Sequence, residues 1–168
     1  VWQAYSSWRF SKCQEAGVTV IRCPLYVPSS PTALKRLLHL ASFSLSSAFA
    51  IFAQLRWKPN LVILVVPTMF CAPQALALAK LTGAKSVLHI QDYEVDALFG
   101  FSFVKSDKLK RFAFAAARAV LRAFDRVSTI SSGMLQRAEQ KGVDKEQLRF
   151  FPNWSETARF QDVPRDAK

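Results

Sequence analysis

The sequence is poor in glycine, histidine and cysteine, and each shortage excludes a class of site. Only 5 glycines occur in 168 residues, and they form neither a Gly-x-Gly-x-x-Gly motif nor a P-loop, so no nucleotide-binding loop is predicted. The 3 cysteines and 2 histidines are not spaced as metal ligands, and we predict neither a metal site nor a disulfide framework. Cysteines of this number and spacing favour a reducing cytoplasm.

Acidic residues are also scarce. The chain has 12 Asp and Glu against 23 Lys and Arg, which gives a net charge of +11 and favours a polyanionic partner: nucleic acid, anionic lipid or a phosphorylated substrate. Charge alone does not choose among them. No helix-turn-helix, zinc or RNA-recognition motif is present, which disfavours nucleic acid. The 51% hydrophobic content with 14 Phe predicts a folded domain rather than a disordered chain.

Apolar runs of strand length alternate with segments of helix length. Strands are predicted at 18–23, 61–66, 85–90, 126–130 and 148–151, and helices at 33–57, 72–81, 109–124 and 132–141. Residues 1–17 show no clear period and are expected to form a loop. The alternation predicts an α/β fold with a doubly wound, Rossmann-like parallel sheet. The unbroken apolar strand 61–66 is expected to be covered on both faces.

Polar side chains follow four of these strands. They are Thr68 after the strand at 61–66, Gln91, Asp92, Tyr93 and Glu94 after that at 85–90, Ser131 after that at 126–130, and Asn153 after the last. The carboxyl ends of parallel strands meet along one edge, so these groups could converge on one ligand. Asp92 is the best candidate for a base, because a carboxylate can take the proton of an attacking hydroxyl. Alternatively, Asp92 only holds its loop and Ser131 only caps a helix. His89, inside a strand, is expected to be a core residue.

The helix at 33–57 raises the question of a membrane span. Charged and polar residues near both ends leave an apolar run shorter than the roughly 20 residues that a span needs, and a span is disfavoured. Thr32 is the expected N-cap. A single polar stripe is formed by Lys35, His39, Ser42 and Ser46. Such a helix is either mostly buried or lies in a bilayer interface, and we favour burial.

The helix at 109–124 is predicted to have a basic and an apolar face. The basic face contains Lys108, Arg111, Arg118 and Arg122, and the apolar face contains Leu109, Phe112, Ala116, Val120 and Ala123. The basic side chains are either merely solvated or contact phosphates of lipid or substrate.

Several segments resemble the amino-terminal domain of family 4 glycosyltransferases, most of all colanic-acid-type exopolysaccharide transferases of bacteria. They are RCPLYVP at 22–28, LKRLLHL at 34–40, VVPTMFCAP at 65–73, LHIQDYEVDA at 88–97, VSTIS at 127–131 and FFPNWSE at 150–156. The likeness runs from about Tyr5 to Phe160. Residues 1–160 are therefore expected to be a partial acceptor-binding domain, and residues 161–168 the start of a linker or a frayed tail.

The resemblance implies a GT-B enzyme with two Rossmann-like domains, which transfers a sugar from a nucleotide sugar with retention of configuration. Asp92 stands at the aspartate of the family's His-Asp strand end, and Gln91 stands where the histidine is usual. Asn153 matches the asparagine of an Asn-Gly pair, with Trp154 in place of the glycine. The opening strands and the donor-binding domain are expected outside this sequence, so the chain should hold no cofactor and should not catalyse transfer alone.

The resemblance further implies an acceptor sugar linked to polyprenyl diphosphate, and a position peripheral to the inner, cytoplasmic face of the cell membrane. A basic, Phe-rich surface suits a diphosphate on a lipid. Thr68, Gln91, Tyr93, Glu94, Ser131 and Asn153 are the expected substrate-binding residues. Two alternatives remain: a non-catalytic membrane-binding module that recruits a separate donor domain, and a basic nucleic-acid-binding domain.

Overall fold

The computed structural model describes residues 8–30, 32–67, 69–93 and 107–154. In chain order the elements are β1 (Ser11–Glu15), β2 (Val18–Arg22), α1 (Ala33–Ala53), β3 (Leu61–Val66), α2 (Ala72–Thr82), β4 (Lys85–Ile90), α3 (Asp107–Ala123), β5 (Arg126–Thr129), α4 (Ser132–Gln140) and β6 (Leu148–Phe150). Short 3-10 helices occupy Gln54–Arg56, Met69–Cys71 and Lys145–Gln147. The predicted strands and helices are confirmed, with ends displaced by a few residues at most.

A four-stranded parallel sheet in the order β3-β4-β5-β6 forms the centre of the fold and confirms the α/β, Rossmann-like class. Consecutive strands are neighbours, so right-handed connections place α2, α3 and α4 on the same face. The core lies between that face and the helices. Its largest fully buried side chains include Leu88, Ile90, Leu121 and Phe124.

The opposite face of β3 is open in the part of the chain that the structure describes. Leu61, Ile63 and Val65 are about half exposed, whereas Leu64 and Val66 are buried. The prediction that this strand is covered on both faces is therefore wrong here. Side chains alternate along a strand, and the described helices cover only the face shared by Leu64 and Val66.

The expected loop at residues 1–17 is also wrong where the chain is described. Ser11–Glu15 forms β1, which pairs antiparallel with β2 in a two-stranded sheet of its own. The connection is a two-residue turn at Ala16 and Gly17, both with positive φ, of 49° and 82°. Such turns match the twist of a hairpin, and Gly17 adopts this conformation without steric cost.

The helix α1 begins as predicted, because the Thr32 hydroxyl accepts a hydrogen bond from the backbone N–H of Lys35 at 3.3 Å. The expectation that α1 is mostly buried is wrong. Leu40 and Ser47 are its only buried residues among those whose side chains are described. The helix contacts α2, the 3-10 helix at Met69–Cys71 and the segment before it, and leaves an apolar side exposed.

The predicted apolar face of α3 is rotated from the observed one. Leu121 and Phe124 enter the core, but Phe112 is 71% exposed and Ala116 and Ala123 are exposed as well. Val120 is half-buried, and the side chain of Leu109 lies outside the described residues. Positions 113, 117, 121 and 124 share one helical face, and this spacing rather than the hydrophobicity of Phe112 determines what packs.

Asp125 lies directly before β5 and binds β4 through its side chain at the amino-terminal edge of the sheet. Its Oδ2 accepts hydrogen bonds from the backbone N–H and the hydroxyl of Ser86, both at 2.8 Å, and its Oδ1 lies 3.5 Å from Lys85 Nζ. The hydrogen bond from the Ser86 N–H is the main reason that the pKa of Asp125 lies below its ordinary value.

We expect Asp125→Ala to lower the free energy of unfolding by about 1–2 kcal/mol at neutral pH, because Ser86 loses its charged acceptor at a partly exposed site. A depressed pKa in the folded state stabilises above the unfolded pKa, so this contribution should be lost as the pH falls below about 4. Urea unfolding at several pH values measures both effects. Asp125→Asn is the matched control, since it keeps an acceptor oxygen but cannot titrate. A wild-type contribution that is independent of pH would contradict this account.

Candidate functional site

The carboxyl ends of the four parallel strands lie side by side. The register aligns Val66 with Ile90, Ile90 with Thr129 and Thr129 with Phe150. Strands are about 4.8 Å apart, so this row extends over about 14 Å. We call five described residues that follow these strand ends along the chain the rim: Gln91, Asp92, Ser131, Asn153 and Trp154. The prediction that these strand ends share one edge is confirmed for the described residues.

Gln91 and Asp92 are exposed at the end of β4. The chain leaves the sheet here with a last hydrogen bond from the Gln91 N–H to the Val66 carbonyl, at 3.4 Å. Neither side chain of this pair has a hydrogen-bonding or ionic partner among the described residues. A carboxylate in this position can accept a proton or a hydrogen bond from a ligand without breaking a contact within the described part of the chain.

Tyr93 has a different environment from its two neighbours. Its ring is buried, and its hydroxyl donates to the Met134 carbonyl in α4 at 2.8 Å. The Arg137 guanidinium and the Lys141 ammonium lie 5.6 and 5.4 Å from the ring centroid. Tyr93 therefore packs the start of the loop after β4 against α4, and its predicted role in substrate binding stays a prediction.

Ser131 is the N-cap of α4. Its hydroxyl accepts a hydrogen bond from the Met134 N–H at 3.2 Å, which confirms the capping role considered from the sequence. The buried Thr129 hydroxyl donates to the Ser131 carbonyl at 3.1 Å and fixes the same turn. Binding of a ligand by Ser131 remains a prediction. Thr68 and Glu94, also predicted to bind substrate, lie outside the described residues.

The end of β6 presents aromatic side chains that were not among the predicted site residues. Asn153 is exposed, and its predicted role in substrate binding stays a prediction; Trp154 beside it is 82% exposed. Phe151 is also exposed, and its N–H bonds to the Thr129 carbonyl at 3.0 Å. The run FFPNW was the available signal, since exposed aromatic side chains beside a polar group are typical of binding sites.

His89 is a core residue, as predicted. Its Nδ1 lies 2.9 Å from the Ser128 hydroxyl, and its ring meets the edge of the Phe151 ring with centroids 5.5 Å apart. Burial lowers the pKa of His89, so its neutral form is favoured at neutral pH. Through its contact with Phe151, the buried His89 supports the segment that carries Asn153 and Trp154.

The predicted basic residues of α3 form a second surface. Lys108, Arg111, Arg118 and Arg122 are all exposed. The three arginines line a shallow concavity of about 400 Å³ together with Phe114, Ala115 and Ala119. Gly142 lies beneath Arg118 and Arg122, since a Cβ at Gly142 would be 3.8 and 4.0 Å from their Cδ atoms. Neither the phosphate nor the membrane contact predicted for this surface is tested by its geometry.

The rim and the basic surface are not one site. Arg111 and Arg122 are separated by 11 positions, about 16 Å along the helix axis. Gly142 precedes β6, so Arg118 and Arg122 lie near the amino-terminal edge of the sheet, away from the rim. Among the described residues no group of three or more His, Cys, Asp and Glu could hold a metal ion.

Comparison with known proteins gives two matches. The profile of the "Glycosyl transferase 4-like domain" family matches residues 1–154. A protein of Escherichia coli strain K12, provisionally named as a colanic acid biosynthesis glycosyl transferase, is 55% identical over 168 residues. That alignment covers 96% of this chain and 41% of the relative, so the chain spans about two fifths of the relative's length. No solved structure matches the chain significantly.

Proposed function

The chain belongs to the glycosyl transferase 4-like domain family, and from this membership we propose that it is the acceptor-binding part of a retaining sugar transferase. The sugar donor is a nucleotide sugar, which binds to a domain outside this sequence. The proposed reaction belongs to the biosynthesis of a bacterial exopolysaccharide such as colanic acid, which the name of the relative supports.

The observation that carries this proposal is the exposed carboxylate of Asp92 on the rim. In the proposed reaction Asp92 takes the proton of an acceptor hydroxyl. The bond between the donor's anomeric carbon and the phosphate oxygen breaks, and the nucleoside diphosphate leaves with the electron pair. The hydroxyl oxygen bonds to the anomeric carbon on the face that the phosphate leaves, so the configuration is retained. Gln91 and Asn153 offer amide groups to the hydroxyls of the acceptor sugar, and Trp154 offers an apolar surface to its ring.

The proposed acceptor is a sugar attached to a lipid diphosphate, and the proposed location is the inner face of the cell membrane. The supporting observations are the net charge of +11 and the exposed arginines of α3. Arg118 and Arg122 lie away from the rim and can donate several hydrogen bonds each to phosphate oxygens of anionic lipids.

The acceptor role is tested with Trp154→Ala in the complete protein. The assay uses a water-soluble phosphorylated glycoside in place of the lipid-linked acceptor. We expect the KM for the acceptor to rise about tenfold, because an exposed aromatic contact of about 1.4 kcal/mol is lost, while the KM for the nucleotide sugar stays unchanged. Trp8→Ala removes a comparably exposed indole before β1 and should change neither KM. A rise in the KM for the nucleotide sugar instead would assign the rim to the donor.

A further inference from the structure

The outward side of α1 is a continuous apolar stripe. We call it the outer stripe, and it consists of Leu34, Leu38, Leu45, Phe49 and Phe52. These side chains are between 40% and 76% exposed. They lie within about 60° of one another around the helix axis, and no Lys, Arg, Asp or Glu occurs between Arg36 and Arg56. An exposed apolar surface of this extent marks an interaction site.

A second side of α1 binds the extended segment before it. The His39 Nδ1–H donates to the Tyr26 carbonyl, and the Ser42 hydroxyl accepts from the Tyr26 N–H at 2.8 Å. The Ser46 hydroxyl donates to the Pro24 carbonyl. The polar stripe noted in the sequence is thus occupied by contacts within the protein.

The remaining sides of α1 face the rest of the fold. Ser44 donates to the Phe70 carbonyl at 2.8 Å, and Ser47 accepts from the Gln74 side chain at 2.9 Å. Phe43 and Ala50 face a cavity of about 990 Å³ that extends to β2 and β3. These residues lie on the side opposite to the outer stripe, so a segment that filled the cavity would leave the stripe exposed.

These contacts decide between two ways of meeting a membrane. The segment Leu34–Arg56 is long and apolar enough to cross a bilayer by length and composition alone, so the expectation that its apolar run is too short for a span is wrong. Crossing would break the hydrogen bonds of His39, Ser42 and Ser46 and leave their partners unpaired in a medium without water. A helix held along its length by the domain can instead lie in the plane of the interface, with only its outer stripe among the lipids.

The charges around the stripe complement an anionic lipid surface. Lys35 and Arg36 lie near its first residue, and Arg56 and Lys58 follow it, with Trp57 73% exposed between them. Tryptophan and cationic side chains at the ends of an apolar surface are typical of interfacial helices.

The basic surface of α3 and the outer stripe each lie opposite to the packed side of their helix. Phe43 of α1 and Leu121 of α3 pack on one core, and α2 contacts both helices. Each helix therefore exposes the side that points away from this core. The exposed Phe112 stands beside the arginines on that side of α3.

We propose that α1 is an in-plane membrane anchor, whose outer stripe enters the interface of an anionic bilayer while the arginines of α3 contact the lipid head groups. The inference concerns a surface other than the rim and does not depend on sugar transfer.

Binding of the complete protein to phosphatidylcholine vesicles, with and without phosphatidylglycerol, tests the anchor. The double variant Leu45→Gln and Phe49→Gln should lower the partition coefficient about tenfold or more on both kinds of vesicle, because apolar side chains no longer enter the interface. The variant Arg118→Ala and Arg122→Ala should lower it only on vesicles with phosphatidylglycerol, and less at high salt. Ile63→Thr, on the open sheet face, is the matched control and should bind as the wild type does.

Alkaline carbonate should release the wild-type protein from vesicles, whereas retention would indicate a span and overturn the in-plane arrangement. Unchanged binding by the Leu45 and Phe49 variant would also overturn the proposal. Sedimentation without vesicles provides a further check: a wild-type dimer that the same variant converts to monomer would assign the stripe to a second copy of the chain. If the wild-type protein binds vesicles but transfers no sugar, the result would count against the proposed transferase function and would still support the membrane anchor.

Discussion

Asp92→Asn in the complete protein should lower kcat by about 10²- to 10⁴-fold, the range for removal of a positioned general base. The substitution keeps the size and hydrogen-bonding capacity of the side chain but removes its ability to take a proton. Asp92 is exposed and has no partner among the described residues, so the midpoint of thermal unfolding should not change. The KM values should change little, because the loss concerns the transition state more than the bound ground state.

The matched control is Asp144→Asn, at an exposed aspartate before β6 that caps no helix through its side chain. It removes the same charge from another part of the surface and should leave kcat unchanged. Equal losses in both variants would attribute the effect to net charge. Unchanged turnover in Asp92→Asn would remove Asp92 from the reaction.

The parallel sheet could be predicted because its strands are unusually clear in the sequence. The run LVILVV at β3 has only apolar residues, and Pro59 and Gly83 end the segments on either side. The hairpin of β1 and β2 was missed because SKCQE has only one apolar residue in five. This strand is held by its hydrogen bonds to β2 and does not pack in the core. Its formation depends on the turn at Ala16 and Gly17, where both residues have positive φ. Asn-Gly and Asp-Gly are the usual sequence signals for such a turn, and neither occurs here.

Which helix faces are buried could not be predicted as well. For α1 we expected burial of an otherwise apolar helix, yet it is the polar His39, Ser42 and Ser46 that bind the backbone of the segment before the helix. The apolar side is the exposed one. The order of polar and apolar residues gives the period of such a helix. Whether its polar or its apolar side faces outward depends on the neighbouring segments that the fold brings against it.

The residues of the rim could be predicted because they follow the ends of parallel strands. Their environments could not be predicted in the same way. Asp92 and Asn153 are exposed as a site requires, whereas Ser131 already caps α4 and Tyr93 is buried beneath it. A tyrosine after two exposed polar residues looks like part of the same loop. Its burial is decided by the Met134 carbonyl in α4, 41 residues further along the chain.

Tyr93→Ala should lower the free energy of unfolding by about 3–5 kcal/mol, the usual cost of removing a large aromatic side chain from a core. The ring packs in the main core cluster, and its loss also removes the hydroxyl that bonds to Met134. Tyr93→Phe keeps the ring and should cost only about 1 kcal/mol, because the Met134 carbonyl lies inside a helix and keeps a backbone partner. Denaturant unfolding of both variants measures the difference.

The same pair of variants separates packing from substrate binding at Tyr93. If Tyr93 acts by fixing the loop, Tyr93→Phe should keep the acceptor KM within about twofold of the wild type, whereas Tyr93→Ala should also lower kcat as Asp92 loses its position. If the hydroxyl binds the acceptor, Tyr93→Phe alone should raise that KM about tenfold, since a hydrogen bond to a ligand contributes about 1.4 kcal/mol. The bond of 2.8 Å to Met134 favours the first result, because the hydroxyl has a single proton and already donates it within the protein.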